Sequence, residues 1–185
     1  LSAKDGQLKL TGYDLEIGIE TYTQAEVIEE GEIVVNARLF GDIIRKLPEK
    51  TVEVFTDGNL NVTIRSGSAE FNLNGQDADE YPQLPKLQVE NSFEIDTTVL
   101  KGLIHQTVFA ISTMKTRPIL TGVKVRLENS ILNFTATDSH RLASKNIYLE
   151  DVDLELSNIV IPGKSLNELY KILNDTEETI EISAT

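Results

Sequence analysis

The chain repeats itself, and a repeat of this length dictates architecture before any single motif is weighed. Leu10-Thr11-Gly12-Tyr13-Asp14 aligns with Phe134-Thr135-Ala136-Thr137-Asp138 at a spacing of 124 residues. Val35-Asn36-Ala37-Arg38-Leu39-Phe40 aligns with Ile161-Pro162-Gly163-Lys164-Ser165-Leu166 at 126, and Thr51-Val52-Glu53-Val54 with Thr179-Ile180-Glu181-Ile182 at 128. The match survives two small insertions over roughly fifty residues, which predicts two similar domains in tandem. Leu1 already corresponds to Val125, so the first copy lacks a counterpart of Ser92 to Lys124. It runs on past Phe55 into Leu60 to Arg65 and Ala69 to Asn74, where the second copy stops at Thr185. The pattern therefore predicts a piece of a longer protein, about thirty residues short of a full repeat at either end. We expect two incomplete domains, 1–88 and 89–185, with the boundary near Lys86 to Asn91.

Hydrophobic periodicity fills in the unit. Asp5-Gly6 marks a hairpin turn, and Leu8, Leu10, Leu15, Ile17 and Ile19 read as successive strands with one buried face. Ile33-Val34-Val35 reads as a strand leading to Asn36, a helix cap, with Phe40, Ile43, Ile44 and Leu47 at helical spacing before Pro48. Val52 and Val54, then Leu60, Val62 and Ile64 after the Asp57-Gly58-Asn59 turn, then Phe71 and Leu73 predict further strands. The stretch from Gly75 to Pro85 has two prolines, three acids and no periodicity, which marks a connector. In the second copy Asp96 or Thr97 caps a helix expected over 97–115, with Leu100, Leu103, Ile104, Thr107, Val108 and Ile111 on one face. Val123, Val125 and Leu127, the Glu128-Asn129-Ser130 turn, and Leu132, Phe134 and Ala136 form a strand pair. A last helix carries Leu166, Leu169, Tyr170 and Leu173. Two helices and many antiparallel strands per complete repeat make the class α+β, with the helices on one face.

Composition excludes several functions. There is no cysteine, so disulfides and thiolate metal sites are ruled out. No apolar run approaches the roughly 20 residues that span a bilayer, and no signal peptide is visible. The expectation is a cytoplasmic protein without a membrane role. A net charge of −13 argues at first sight against nucleic acid. Its distribution argues the other way. The expected helical segments 36–46, 97–115 and 164–171 hold Arg38, Arg45, Lys46, Lys101, Lys115, Lys164 and Lys171 against Asp42 and Glu168, a net +5 that leaves −18 on everything else.

The segment Thr135 to Ala143 concentrates unusual residues, including His140, one of only two histidines. Asp138, Ser139 and His140 supply the residue types of a hydrolase, yet neighbours along one strand end point apart and cannot converge as a working triad does. A turn in which Asp138 accepts local backbone amides is the simpler reading. A surface pocket of Thr137, His140, Arg141 and Leu142 is the functional one.

Thr137-Asp138-Ser139-His140-Arg141-Leu142, with Arg117-Pro118-Ile119-Leu120-Thr121-Gly122 ahead of it and Asp79-Glu80-Tyr81-Pro82-Gln83-Leu84-Pro85 in the connector, resembles the bacterial DNA polymerase III beta subunit, the sliding clamp. The similarity runs along essentially the whole chain. The resemblance implies a DNA-clamp fold, with helices lining a central hole, antiparallel sheets outside, and a ring-shaped homodimeric parent. It implies a non-enzymatic processivity factor that encircles duplex DNA without reading sequence and needs no cofactor or metal. A peptide-binding pocket, walled by Arg117, Leu120, Thr137, His140, Arg141 and Leu142, would take short motifs of the replicative polymerase, the clamp loader and repair proteins. Ser139 stands where many relatives have glycine, and Gly163 where relatives often have arginine. The opposite pocket wall would come from a third domain, so this piece alone is expected to bind such peptides weakly and not to close a ring. Arg38, Arg45, Lys46, Lys101, Lys115, Lys164 and Lys171 would face phosphates, contacts that carry no sequence information and permit sliding.

The competing reading is an acidic protein-interaction domain without a DNA role, which requires neither basic helices nor the Thr-Asp-Ser-His-Arg-Leu string. Asp77, Asp79 and Glu80 match no calcium-loop spacing and read as an acidic linker. Asp151, Asp153 and Glu155 alternate with Val152, Leu154 and Leu156 as on a half-exposed strand. His105 falls off the apolar stripe of its helix and reads as polar surface.

Overall fold

The structure, a computed structural model, describes residues 1–85, 92–150, 152, 154–174 and 178–184. The expected boundary at Lys86 to Asn91 and the residues Asp151 and Asp153 lie outside the described residues. The chain divides into two compact units, Leu1–Pro85 and Lys86–Thr185.

In the first unit, β1 (Ser2–Lys4), β2 (Gln7–Tyr13), β3 (Gly18–Gln24) and β4 (Gly31–Glu32) form an antiparallel sheet in the order β3-β2-β1-β4. After α1 (Ala37–Ile44), β5 (Glu53–Thr56), β6 (Asn61–Ser66) and β7 (Ala69–Asn74) form a second, three-stranded antiparallel sheet. Alternation places Val62 and Ile64 of β6 and Leu73 of β7 inward, where they meet Ile33 and Ile43. Asn36 caps α1, its Oδ1 accepting from the Leu39 amide at 3.0 Å. In the Asp57 turn that oxygen type is shared: Asp57 Oδ1 accepts from the amides of Asn59 and Asn61, both at 2.9 Å.

In the second unit, β8 (Ser92–Asp96) enters α2 (Thr97–His105), and a single 3₁₀ turn at Val108–Ala110 follows. After a further 3₁₀ turn at Pro118–Thr121 come β9 (Gly122–Glu128), β10 (Ile131–Thr137), β11 (Leu142–Tyr148) and β12 (Leu156–Pro162), then α3 (Gly163–Ile172) and β13 (Thr179–Ser183). The sheet order is β11-β10-β9-β12, with a separate β13-β8 ladder, all antiparallel. Val123, Val125 and Leu127 of β9 and Leu132, Phe134 and Ala136 of β10 point to one side. They pack against Leu100, Leu103 and Ile104 of α2 and Leu166 of α3. The other side of the β10–β11 pair carries a polar ladder. Thr135 Oγ1 lies 2.8 Å from Asn133 Oδ1 and 3.0 Å from Ser144 Oγ, while the Asn133 amide donates to Ser144 Oγ at 3.0 Å and to Asn146 Oδ1.

The repeat is visible rung by rung. Gln7 pairs with Gln24 through to Tyr13 with Gly18, and Ile131 pairs with Tyr148 through to Thr137 with Leu142. Both hairpins therefore keep one register, every residue displaced by 124. Their β1–β2 and β9–β10 turns also correspond. Asp5 and Gly6 have φ of 50° and 73°, and Asn129 and Ser130 have 50° and 61°, the paired positive values of a two-residue hairpin loop.

Four expectations need correction. Leu15 and Ile17 belong to the turn between β2 and β3, because Asp14 Oδ1 accepts from the amides of Glu16 (3.1 Å) and Ile17 (2.8 Å) and closes the chain before a strand can continue. β3 is exposed along its whole length, so it has no buried face among the described residues. In place of the strand expected at Ile33-Val34-Val35 stands one isolated bridge, Val34 with Gln76, β4 having ended at Glu32. Finally, α2 stops at His105, not at residue 115. Thr107 is buried and its hydroxyl donates to the Leu103 carbonyl at 2.7 Å, after which the chain tightens into the 3₁₀ turn.

Candidate functional site

The string Thr137 to Leu142 occupies the turn from β10 to β11. Asp138 Oδ1 accepts from the backbone amides of His140 and Arg141, each at 3.0 Å, and its Oδ2 accepts from Arg141 Nε at 3.0 Å. Those two backbone amides hold the Asp138 carboxyl below its ordinary value; desolvation opposes them, and the charge and side-chain hydrogen bond of Arg141 lower it further by lesser amounts. Thr137 Oγ1 donates to the Arg141 carbonyl at 2.7 Å and accepts from the Ser139 amide at 3.2 Å. Ser139 is thereby held at φ 79°, the left-handed region that glycine occupies without strain. The side chains left facing outward are His140, Arg141 and Leu142, the last 68% exposed.

This turn brings together four of the six residues expected to wall the pocket. Arg117 and Leu120 stand on the 3₁₀ turn that opens β9, the strand neighbour of β10. That turn is tied inward by the Ser112 amide on the Leu120 carbonyl, 2.7 Å, and by Thr121 Oγ1 on the Pro118 carbonyl, 2.7 Å. Leu120 is half-buried and Arg117 exposed. Gly122 follows because a Cβ there would stand 2.7 Å from the Ile161 carbonyl oxygen.

One residue escaped the sequence reading. The Arg141 guanidinium lies 5.7 Å from the ring centroid of Phe109, which is 56% exposed on the 3₁₀ turn after α2. Its signal was an aromatic off the apolar stripe of a segment read as continuous helix.

The basic residues are less uniformly helical than expected. The observed helices hold Arg38, Lys101, Lys164 and Lys171 against Asp42 and Glu168, a net +2. Arg45 is the C-cap of α1, Lys46 lies beyond it, and Lys115 sits on the irregular segment between the two 3₁₀ turns. Arg45 pairs with Asp42 at 2.6 Å and Lys171 with Glu168 at 2.8 Å. Lys101 reaches the Leu173 carbonyl at 3.2 Å and lies 5.0 Å from the Tyr170 ring centroid, tying α2 to α3. Arg38, Lys46, Lys115 and Lys164 are exposed. Gly163, where the resemblance often has arginine, is buried; a Cβ would meet Ile111 Cδ1 at 2.1 Å and the Thr121 carbonyl at 3.2 Å. His105 is exposed and stacks on Tyr170 at 6.2 Å, as a polar surface residue. Asp77 is the N-cap of a short 3₁₀ turn, accepting from the Asp79 amide at 2.9 Å. Among the described residues no helix is long and apolar enough to cross a membrane.

Residues 1–85 match the DNA polymerase III beta subunit, N-terminal domain, and residues 94–185 match the central domain of the same subunit. The chain belongs to the bacterial sliding-clamp family. It is 50% identical to the beta sliding clamp of Halalkalibacterium halodurans over 95% of its own length and 49% of the relative's. The crystal structure of the sliding clamp from Bacillus subtilis superposes with a TM-score of 0.94 at 48% identity, covering 100% of this chain and 50% of that one. A clamp from Bartonella birtlesii bound to griselimycin superposes at 0.89 with 28% identity, over 100% of this chain and 50% of that one. The chain thus spans about half the length of the clamps it matches. The α+β class with antiparallel sheets is the clamp fold.

Proposed function

We propose that the chain is the part of a sliding clamp that carries a partner-docking turn and part of the DNA-facing surface. The whole protein would encircle duplex DNA and hold the replicative polymerase, the clamp loader and repair proteins to it by short peptide motifs. The carrying observation is the Asp138 turn. It fixes His140, Arg141 and Leu142 on a backbone braced by two amide hydrogen bonds to one carboxylate, whose other oxygen accepts from Arg141 Nε, so a held cation and an exposed leucine are presented without further ordering on binding. That a related clamp is bound to griselimycin supports ligand binding by this fold.

Both Asp138 oxygens are already engaged by backbone amides and Arg141, which leaves no carboxylate to orient His140 as a base. We read the role of this turn as binding and not catalysis, in a cytoplasmic protein. Arg38, Arg45, Lys46, Lys101, Lys115, Lys164 and Lys171 face phosphates in this reading. Contacts of this kind are individually weak, with nonspecific dissociation constants of about 10⁻⁴ to 10⁻⁶ M, so ring closure retains the protein on DNA. Two units so alike in fold suit a closed homodimeric ring built by repetition.

The test uses the whole protein loaded on circular duplex DNA. It should remain bound until the circle is cut and then leave over the ends; release indifferent to linearisation overturns encirclement. Titration with a labelled polymerase-tail peptide, followed by anisotropy, should show binding that Leu142→Asp abolishes. The 185-residue chain alone should bind the same peptide far more weakly, and nanomolar affinity would contradict a pocket completed by another domain.

A further inference from the structure

The two repeats share more than strands. The turn from Tyr13 to Gly18 in the first unit corresponds, position for position, to the turn from Thr137 to Leu142 in the second. Asp14 accepts from the amides two and three residues on, as Asp138 does, and Leu15 has φ 72° where Ser139 has 79°. Tyr13 pairs with Gly18 across the end of the hairpin, as Thr137 pairs with Leu142. The first unit therefore holds the same backbone platform as the candidate partner site.

The connector meets that platform at its two ends, Tyr13 and Gly18, while Asp14, Leu15 and Glu16 between them stay exposed. The connector residue Tyr81 places its hydroxyl 2.8 Å from the Tyr13 amide, which donates to it, and 3.4 Å from the Tyr13 carbonyl, to which it donates. Leu84 lies directly over Gly18: a Cβ there would fall 2.0 Å from Leu84 Cδ2. Tyr81 and Leu84 are half-buried, while Pro82, Gln83 and Pro85 are exposed. A short segment with anchoring side chains three residues apart and outward residues between them is how a proline-containing peptide sits on a surface.

We propose that the first unit carries a latent peptide site on the Tyr13–Gly18 turn, and that Tyr81-Pro82-Gln83-Leu84 is its ligand, bound in cis. The ligand class is an extended peptide offering a phenolic hydroxyl and, three residues on, a leucine. Gly18 is what makes room for that leucine; the second unit has its own Leu142 at this position, exposed and available to a partner. A tethered ligand acts at an effective concentration of about millimolar, so it excludes any free peptide that binds more weakly than that. Divergence at one position thus separates an occupied copy from an open one. The inference rests on the reading of the Thr137–Leu142 turn as a peptide site, and its test keeps the two apart.

A labelled peptide with the sequence Asp79 to Pro85 is titrated into the chain and into Leu84→Ala, each with and without Leu142→Asp, with amide shifts followed by NMR. Leu84→Ala should gain at least about tenfold in affinity for the peptide, unaffected by Leu142→Asp, with shifts at Gly12 to Gly18. Hydrogen exchange of the Tyr13 amide should quicken in Leu84→Ala and slow again on adding peptide. A gain that Leu142→Asp removes, with shifts confined to 137–142, overturns the latent site and leaves the second-unit site standing. Shifts at Gly12 to Gly18 with none at 137–142 support the latent site and leave the second-unit site to the polymerase-peptide titration of the whole protein, since that pocket is completed by another domain. Gly18→Leu, which expels Leu84 while keeping the connector sequence, should quicken Tyr13 exchange likewise. Unchanged exchange in both variants overturns the inference.

Discussion

Ser139 and Leu15 adopt the same left-handed conformation at equivalent turns, each held there by an aspartate that binds the next amides but one. Neither residue type is at ease there, since a Cβ in this region costs roughly 1–2 kcal/mol. Ser139→Gly and Leu15→Gly should each stabilise the chain by about 1 kcal/mol, read as a shift in the urea midpoint without change of slope. Asp138 gives a second residue-level outcome. Its carboxyl is depressed in the folded state, first by the His140 and Arg141 amides, so its contribution to stability is complete above the unfolded value of about 3.9 and is lost as pH falls through the lower folded value. NMR titration of the Asp138 carboxyl should give a midpoint below that of an unstructured peptide, and Arg141→Gln should move it upward. A midpoint at the ordinary value would mean that the turn is open in solution. The string Thr-Asp-Ser-His-Arg-Leu was legible as a turn because aspartate followed by small and polar residues has few other uses. The partner turn at Asp14 was not, because Leu15 and Ile17 counterfeit the alternation of a strand.

Among the elements, caps were the most legible and ends the least. Asn36 caps its helix as expected, and of the two candidates Asp96 and Thr97 it is Asp96 that caps α2, its Oδ1 accepting from the Thr98 amide at 2.7 Å and the Val99 amide at 3.2 Å. The end of α2 was hidden because the apolar stripe outlives the helix: Thr107 and Ala110 stay buried after the backbone has changed, so periodicity continues across the break. Leu103, nearly inaccessible between α2 and the β9–β10 face, should cost about 2–5 kcal/mol when cut to alanine. Gly122→Ala should cost about 1–3 kcal/mol, since the neighbour it meets is backbone and cannot step aside. Chemical denaturation of each variant measures both. A neutral Gly122→Ala would show that β9 and β12 can part at their ends.

For the whole molecule, the two cores differ in size. Among the described residues, five buried apolar side chains anchor the first unit and fourteen the second. Burial scales with stability, so the first unit should unfold first, in a transition that Leu103→Ala leaves in place while shifting the other. Pulse-labelled hydrogen exchange across a urea series separates the two; a single coincident transition would mean that the units melt together. The repeat was legible at this scale since strand register carries it, whereas the positions of Lys46, Lys115 and Arg45 beyond helix ends were not, because basic residues follow a helix as readily as they sit within it. The polar ladder of Asn133, Thr135, Ser144 and Asn146 has a consequence of its own. Its donors and acceptors are largely spent on one another, so a stray strand or loop laid across that face would gain few new bonds and would have to break existing ones. Such a face offers a stray strand little, because its side-chain bonds are already made within the sheet.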